Sequence, residues 1–303
     1  MRAKGGLMRT VVITGASRGL GLASAAHLYR QGWRVVAAMR SPEAGLAALR
    51  AASGAEAGSP RLIGVGLDLT DRDSIPAAAK QIIAAVGAPD VLVHNAGIAA
   101  AGSVEEVPLD VWDRMLATHL LGPVELTRAL LPAMRAAGRG RIVVVSSQGG
   151  VRGMPAIAAY SAAKGALERW AESMANEIAP FGLAVTVLVT GTFATDIITD
   201  AGVSDHRDFT GPYAPHNTAI DRRGRMAIRF AAPPARFAAS LARAVNDTRP
   251  FARRAVGLDA RMLLLSHRLL PSAALHKVVR LAVGLPRPGA LRPPVPKENE
   301  NDA

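Results

Sequence analysis

Tyr160 and Lys164 stand four residues apart in AAYSAAKGALERWAESMANEIA, a stretch whose period predicts a helix over 158–179. That spacing puts both side chains on one helix face, one turn apart. Tyrosine has an unperturbed pKa of about 10, so it becomes a useful proton donor or acceptor near neutrality only where a neighbouring positive charge favours the phenolate. A lysine one turn away can supply that charge, and the pair reads as acid–base chemistry. Upstream, Thr14-Gly15-Ala16-Ser17-Arg18-Gly19-Leu20-Gly21 lies between a strand pattern and a helical one. Glycines there let backbone approach a pyrophosphate, while the helix N-terminus offers free N–H groups and a favourable dipole. Glycine spacing alone would also suit an ordinary strand-to-helix turn; its place after the first strand of a βαβ unit favours the phosphate site.

These groups need a scaffold, and short β-branched runs alternating with alanine-rich amphipathic stretches provide one. RTVVIT, WRVVAA, RLIGVGL, DVLVH, RIVVVS and LAVTVLV read as strands; 20–31, 74–86, 111–137 (one or two helices) and 158–179 read as helices. That rhythm predicts an α/β fold, a doubly wound and mostly parallel sheet with helices on both faces, in one domain over 8–258. After Val189 some forty residues show little periodicity and read as a long functional loop. Pro233 and Pro234 open a helix running to Val245, and a last strand is expected near 254–258. Residues 259–283 form two short amphipathic segments divided by Pro271, and 284–303 read as a disordered tail.

The spacing of Gly15, Gly19 and Gly21, with Asn95-Ala96-Gly97 after DVLVH, Ser147 closing RIVVVSS thirteen residues before Tyr160, and the Tyr160/Lys164 pair, resembles the short-chain dehydrogenase/reductase family over about residues 8 to 258. The resemblance implies a Rossmann-like fold and exchange of a carbonyl for a secondary or primary alcohol with a nicotinamide cofactor. It implies that Tyr160 is the general acid/base, that Ser147 rather than Ser146 hydrogen-bonds the substrate oxygen, and that Lys164 holds the nicotinamide ribose and lowers the tyrosine pKa. Cofactor contacts are implied for Gly15, Ser17, Arg18, Gly19, Leu20 and Gly21 in the turn, and for Tyr160 and Lys164. Gly191 and Thr195 would meet the carboxamide, and the Asn95, Ala96 and Gly97 turn is structural first and cofactor-facing second. Asp68, after the third strand, would meet the adenine amino group or equally cap a helix.

Arg18 and Arg40 bear on the cofactor. Either alone could be merely solvated, but Ala38, Met39 and Arg40 offer no carboxylate to the ribose hydroxyls, and a guanidinium holds a 2′-phosphate in bidentate fashion, which favours NADP(H). Two positions depart from the family pattern. His119 replaces an asparagine that helps hold a water-linked proton relay, which leaves a slowed enzyme, a histidine simply packed in its helix, or a cofactor-binding regulator or scaffold with a weakened site. Thr190 replaces a proline, which implies a looser start to the loop carrying Gly191 and Thr195.

Met154, Pro155 and Ile157, with the segment after Thr195, suggest a hydrophobic alcohol or ketone substrate, although they could equally be loop packing. The absence of cysteine excludes disulfides, thiolate zinc sites and a cysteine nucleophile. The opening residues lack the apolar stretch of a signal peptide, and no window reaches the length of a membrane span, so a cytoplasmic location is expected. The net charge of +12 is spread along an arginine-rich chain without a clustered basic and aromatic surface, so nucleic acid is not an expected partner. A homo-oligomer is expected. Residues 259–283 could pack on their own domain, join subunits, or lie peripherally on an anionic membrane.

Overall fold

The β-branched runs form strands β1 (Thr10–Thr14), β2 (Arg34–Met39), β3 (Leu62–Gly66), β4 (Val91–His94), β5 (Ala99–Ala101), β6 (Gly140–Ser147), β7 (Leu183–Thr190), β8 (Val203–Asp205) and β9 (Phe251–Val256). The helices are α1 (Gly19–Arg30), α2 (Pro42–Ser53), α3 (Ser74–Val86), α4 (Leu109–Leu116), α5 (Gly122–Ala136), α6 (Gln148–Val151), α7 (Ala158–Ile178), α8 (Ala214–Ile228), α9 (Pro234–Ala244), α10 (Leu258–Leu269) and α11 (Ser272–Val283). The computed structural model describes residues 8–198 and 203–292.

Seven strands pair in the order β3-β2-β1-β4-β6-β7-β9, every pair parallel, while β5 and β8 pair separately. Successive side chains on a strand face opposite ways, so a parallel sheet buried on both sides needs two cores. Val12, Val36 and Val144 join Ile82 of α3, Leu126 of α5 and Leu167 of α7 on one face. Val11, Ile13, Val35 and Val143 join Leu28 of α1, Leu49 of α2 and Phe237 of α9 on the other. This is the expected doubly wound fold. Its strand order reverses between β1 and β4, where ligands of open α/β sheets bind, outside the carboxyl ends of the strands.

The structure differs from the sequence reading in three places. The stretch 111–137 is α4 and α5 joined by a π turn, Ala117–Leu121, closed by the Gly122 N–H donating to the Ala117 carbonyl. The long loop contains α8, a helix with little apolar face: its one buried residue, Asn217, donates to Glu106 Oε1 at 2.7 Å and to the Asp208 carbonyl at 2.9 Å, and Asp221 pairs with Arg207 and Arg225. Polar contacts hold that helix, so no hydrophobic period announced it. The last strand lies three residues earlier than expected at its start, because its two central arginines hid it: Arg253 pairs with buried Glu168, and Arg254 with Asp247. Helix α10 starts directly behind it, and α10 and α11 divide at Pro271 as expected. Residues 284–292 form turns at 284 and 288–291 with irregular backbone between, and the remainder of the expected tail, 293–303, lies outside the described residues, as does 199–202 of the long loop. Among the described residues no helix is long and apolar enough to cross a membrane.

Candidate active site

At the switch point the glycine turn folds back on the sheet, with the Gly15 N–H donating to the Ala38 carbonyl at 2.8 Å. Gly15 and Gly19 have φ of +68° and +55°, which side chains rarely adopt. A Cβ on Gly21 would lie 2.1 Å from the Gly15 carbonyl oxygen and 2.5 Å from Asn95 Nδ2, so only glycine lets α1 sit this close to the turn. Arg18, the residue before α1, is extended and its side chain caps no N–H of that helix, which leaves the first-turn donors open to an anion. Asn95 ties the turn down: its Nδ2 donates to the Thr14 carbonyl at 2.9 Å, while the N–H groups of Asn95 and Ala96 donate to Thr14 Oγ1. Gly21→Ala is therefore expected to lower stability by about 1–3 kcal/mol through overpacking, read as a lower urea midpoint with unchanged slope.

One cavity of about 380 Å³ opens at this point. Its wall includes Gly15, Ser17, Arg18, Gly19, Leu20 and Gly21 from the turn, Arg40 and Asp68 from the ends of β2 and β3, and Asn95, Ala96 and Gly97 after β4. His119, Ser147, Tyr160, Lys164, Gly191 and Thr195 complete it, so every catalytic and cofactor-contact residue named from the sequence lines the same space. Asp68 Oδ1 accepts from the Thr70 N–H and hydroxyl; burial opposes its charge, but those bonds and the nearby Arg40 hold the carboxyl below its ordinary range. Asp73, not Asp68, precedes α3, so Asp68 caps a tight turn rather than a helix. The glycine cradle and the open helix terminus fit the pyrophosphate of a dinucleotide, and Arg18 and Arg40 line the same cavity.

Ser147 ends β6 and Tyr160 sits in the first turn of α7, and both line this cavity. Burial pushes the Tyr160 phenol above its ordinary pKa, opposed by the nearby Ser147 hydroxyl. Lys164 Nζ lies 5.8 Å from the Tyr160 ring centre and donates to the Val145 carbonyl at 2.8 Å. Burial brings this lysine down to about 7, against the pull of Glu168 one turn further along α7. Ser146 is committed elsewhere, its hydroxyl donating to Glu168 Oε1 at 2.6 Å. His94 is also committed: its Nε2 meets Thr127 Oγ1 at 2.8 Å, and burial beside Lys164 takes its pKa to about 3, leaving it neutral.

His119 occupies the middle of the π turn, a rare widening of the helix that is frequent at functional sites. Its ring stands edge-on to Tyr160, with centres 5.2 Å apart, and its Nε2 lies 2.9 Å from the Ile98 carbonyl oxygen. Burial and the nearby Lys164 push its pKa well below the ordinary value. It therefore does more than pack within its helix: it bridges α4 and α5 to the segment after β4, where a Cβ on Gly97 would strike the imidazole at 2.8 Å.

The start of the loop after β7 is tethered rather than loose, contrary to the expectation from Thr190. The Thr190 hydroxyl donates to the Ser146 carbonyl at 2.7 Å, the Gly191 N–H to the Val256 carbonyl at 2.8 Å, and the Thr192 N–H to Asp259 Oδ2 at 2.7 Å. A threonine thus replaces proline's stiffness with a hydrogen bond. Asp259 was invisible to sequence reasoning because it lies far along the chain and carries no local signal. Glu168 could have been noticed, since it stands four residues after Lys164 on the same face. Met154, Pro155 and Ile157 do not line the cavity; Ile98, Phe193 and Ile197 do.

Residues 9–204 match the short chain dehydrogenase family, and the chain belongs to it. It is 30% identical over 276 residues to 3-ketodihydrosphingosine reductase from Bacteroides thetaiotaomicron, covering 89% of this chain and 96% of that protein. It spans a smaller share, 66% and 65%, of the length of two other curated relatives. A short-chain dehydrogenase from Streptomyces avermitilis superposes with a TM-score of 0.77 at 32% identity, covering 93% of this chain and 99% of that one. A metagenomic short-chain oxidoreductase crystallised with NADP superposes with a TM-score of 0.64 at 29% identity, covering 82% and 96%.

Proposed function

We propose that this chain is an NADP(H)-dependent oxidoreductase that interconverts a carbonyl and a secondary or primary alcohol on an apolar substrate. The observation that carries this reading is the meeting of Ser147, Tyr160 and Lys164 in the same cavity as the glycine turn, with Lys164 Nζ 5.8 Å from the Tyr160 ring centre. Bound NADPH supplies a hydride to the carbonyl carbon. Tyr160, held as a neutral phenol by burial, gives its proton to the carbonyl oxygen, so that hydride and proton together make the alcohol. Ser147 orients that oxygen, and Lys164 holds the ribose and steadies the phenolate left behind. Oxidation of the alcohol runs the same steps in reverse.

Ile98, Phe193 and Ile197 favour an apolar substrate, and the Bacteroides relative is named for a keto compound. Arg18 and Arg40 favour NADP, in keeping with the NADP carried by the metagenomic neighbour. NADPH is expected to bind at least about tenfold more tightly than NADH, and Arg40→Ala to erase most of that margin, as read by fluorescence titration of both cofactors. Equal binding of the two, unchanged in the variant, would refute the cofactor assignment. The activity itself is tested by NADPH consumption over a panel of apolar ketones and aldehydes. Tight NADPH binding with no turnover across the panel would mark a cofactor-bound regulator instead.

A further inference from the structure

Helix α10 exposes Leu258, Met262, Leu265 and Leu269 to 74, 62, 58 and 67%. Their spacing of four, three and four residues places them in one stripe along the helix. The opposite side holds Ala260, fully buried in the core. Scattered exposed leucines are ordinary, but a stripe of four running the length of a helix, turned directly away from its packed seam, marks an interaction surface. Helix α11 packs against α10 and adds Val278 and Leu281, the latter 77% exposed.

The charges around the stripe decide what covers it. Between 258 and 292 the chain carries Arg261, Arg268, Lys277, Arg280, Arg287 and Arg292 against one carboxylate, Asp259. That carboxylate is turned inward, on the Thr192 N–H. Arg261 and Arg268, seven residues apart, share one flank of the stripe. A second copy of the chain pairing through this face would bring these cations together with no free carboxylate to answer them. Each helix has 12 residues. At that length it reaches about 18 Å, too short to cross a hydrocarbon core of about 30 Å but suited to lying along its surface.

We propose that the α10 and α11 face docks on an anionic lipid surface, with the leucine stripe in the acyl boundary and the flanking arginines among the headgroups. Leu258 is followed by Asp259, which holds the loop lining the cavity, so the docked surface begins one residue from a support of the site.

The test is co-sedimentation of the full chain with phosphatidylcholine vesicles, alone or with about one-third phosphatidylglycerol. Binding is expected to the anionic vesicles and to weaken as salt rises. The double variant Leu265→Glu/Leu269→Glu, at exposed positions, is expected to keep its circular dichroism and melting temperature while losing about tenfold or more in partitioning. Failure of the native chain to bind anionic vesicles overturns the proposal, as does undiminished binding by the folded double variant. A soluble dimer, or a complex with an acidic protein, that the double variant breaks while vesicle binding is absent would assign the stripe to that partner instead. None of these readouts depends on turnover, so the outcome stands apart from that of the ketone panel.

Discussion

Turnover of the Tyr160→Phe variant is expected to fall by about 10³-fold or more, with NADPH binding changed little. Phenylalanine keeps the ring that stands edge-on to His119 and within 5.8 Å of Lys164 Nζ, so the wall of the cavity keeps its shape. What disappears is the hydroxyl, with its proton. No other hydroxyl or imidazole nearby can replace that proton. Ser146 is spent on Glu168, His94 is buried on Thr127, and His119 is held neutral with its Nε2 on the Ile98 main chain. Ser147 has a hydroxyl in the right place, but a serine pKa far above that of a phenol makes it a poor acid. The measurement is kcat with the best ketone of the panel, beside a fluorescence titration with NADPH. A variant that keeps more than about one-tenth of native turnover would place the proton donor elsewhere.

The residues that make this argument were legible from the sequence to different degrees, for physical reasons. The sheet was legible because a parallel strand buried on both faces leaves an almost unbroken β-branched run, as in TVVIT and LAVTVLV. The glycine turn was legible because backbone that must adopt positive φ or pass close to a neighbour restricts the residue type at 15, 19 and 21. Strand β9 was half hidden, since Arg253 and Arg254 spoil its apolar run and are stabilised only by Glu168 and Asp247, which no local pattern reveals. Helix α8 was hidden entirely, because Asn217, Glu106 and Asp208 hold it through polar bonds rather than an apolar stripe. The π turn around His119 is a matter of one extra residue per turn, below what hydrophobic period resolves. Thr190 misled for a related reason: comparison with proline predicts lost stiffness, but only the fold shows its hydroxyl reaching the Ser146 carbonyl.

Lys164→Met should separate stability from activity. Lys164 is fully enclosed, and its pKa falls from 10.5 to about 7 because burial penalises the charge more than Glu168 restores it. In the unfolded chain this lysine holds its proton up to about pH 10, so between pH 7 and 10 the unfolded state binds more protons than the folded one, and native stability rises with pH across that window. Below pH 7 both states are protonated and the whole penalty, at most about 5 kcal/mol, weighs on the fold. Methionine is similar in length and carries no charge to bury; it gives up the bond to the Val145 carbonyl, worth about 1 kcal/mol, and leaves that oxygen without its donor. The variant is therefore expected to be more stable than the native chain by about 1–3 kcal/mol at pH 7, and to gain less on going to pH 9. Turnover should fall by about 10²-fold or more, since the phenolate loses the cation that steadies it. Urea unfolding of both proteins at pH 7 and pH 9, with kcat at pH 7, reads all three effects. A variant less stable than the native chain at pH 7 by more than about 2 kcal/mol would mean that Lys164 is held as a paired cation, with Glu168 outweighing burial, and would reverse the sign of the pH dependence assigned to it.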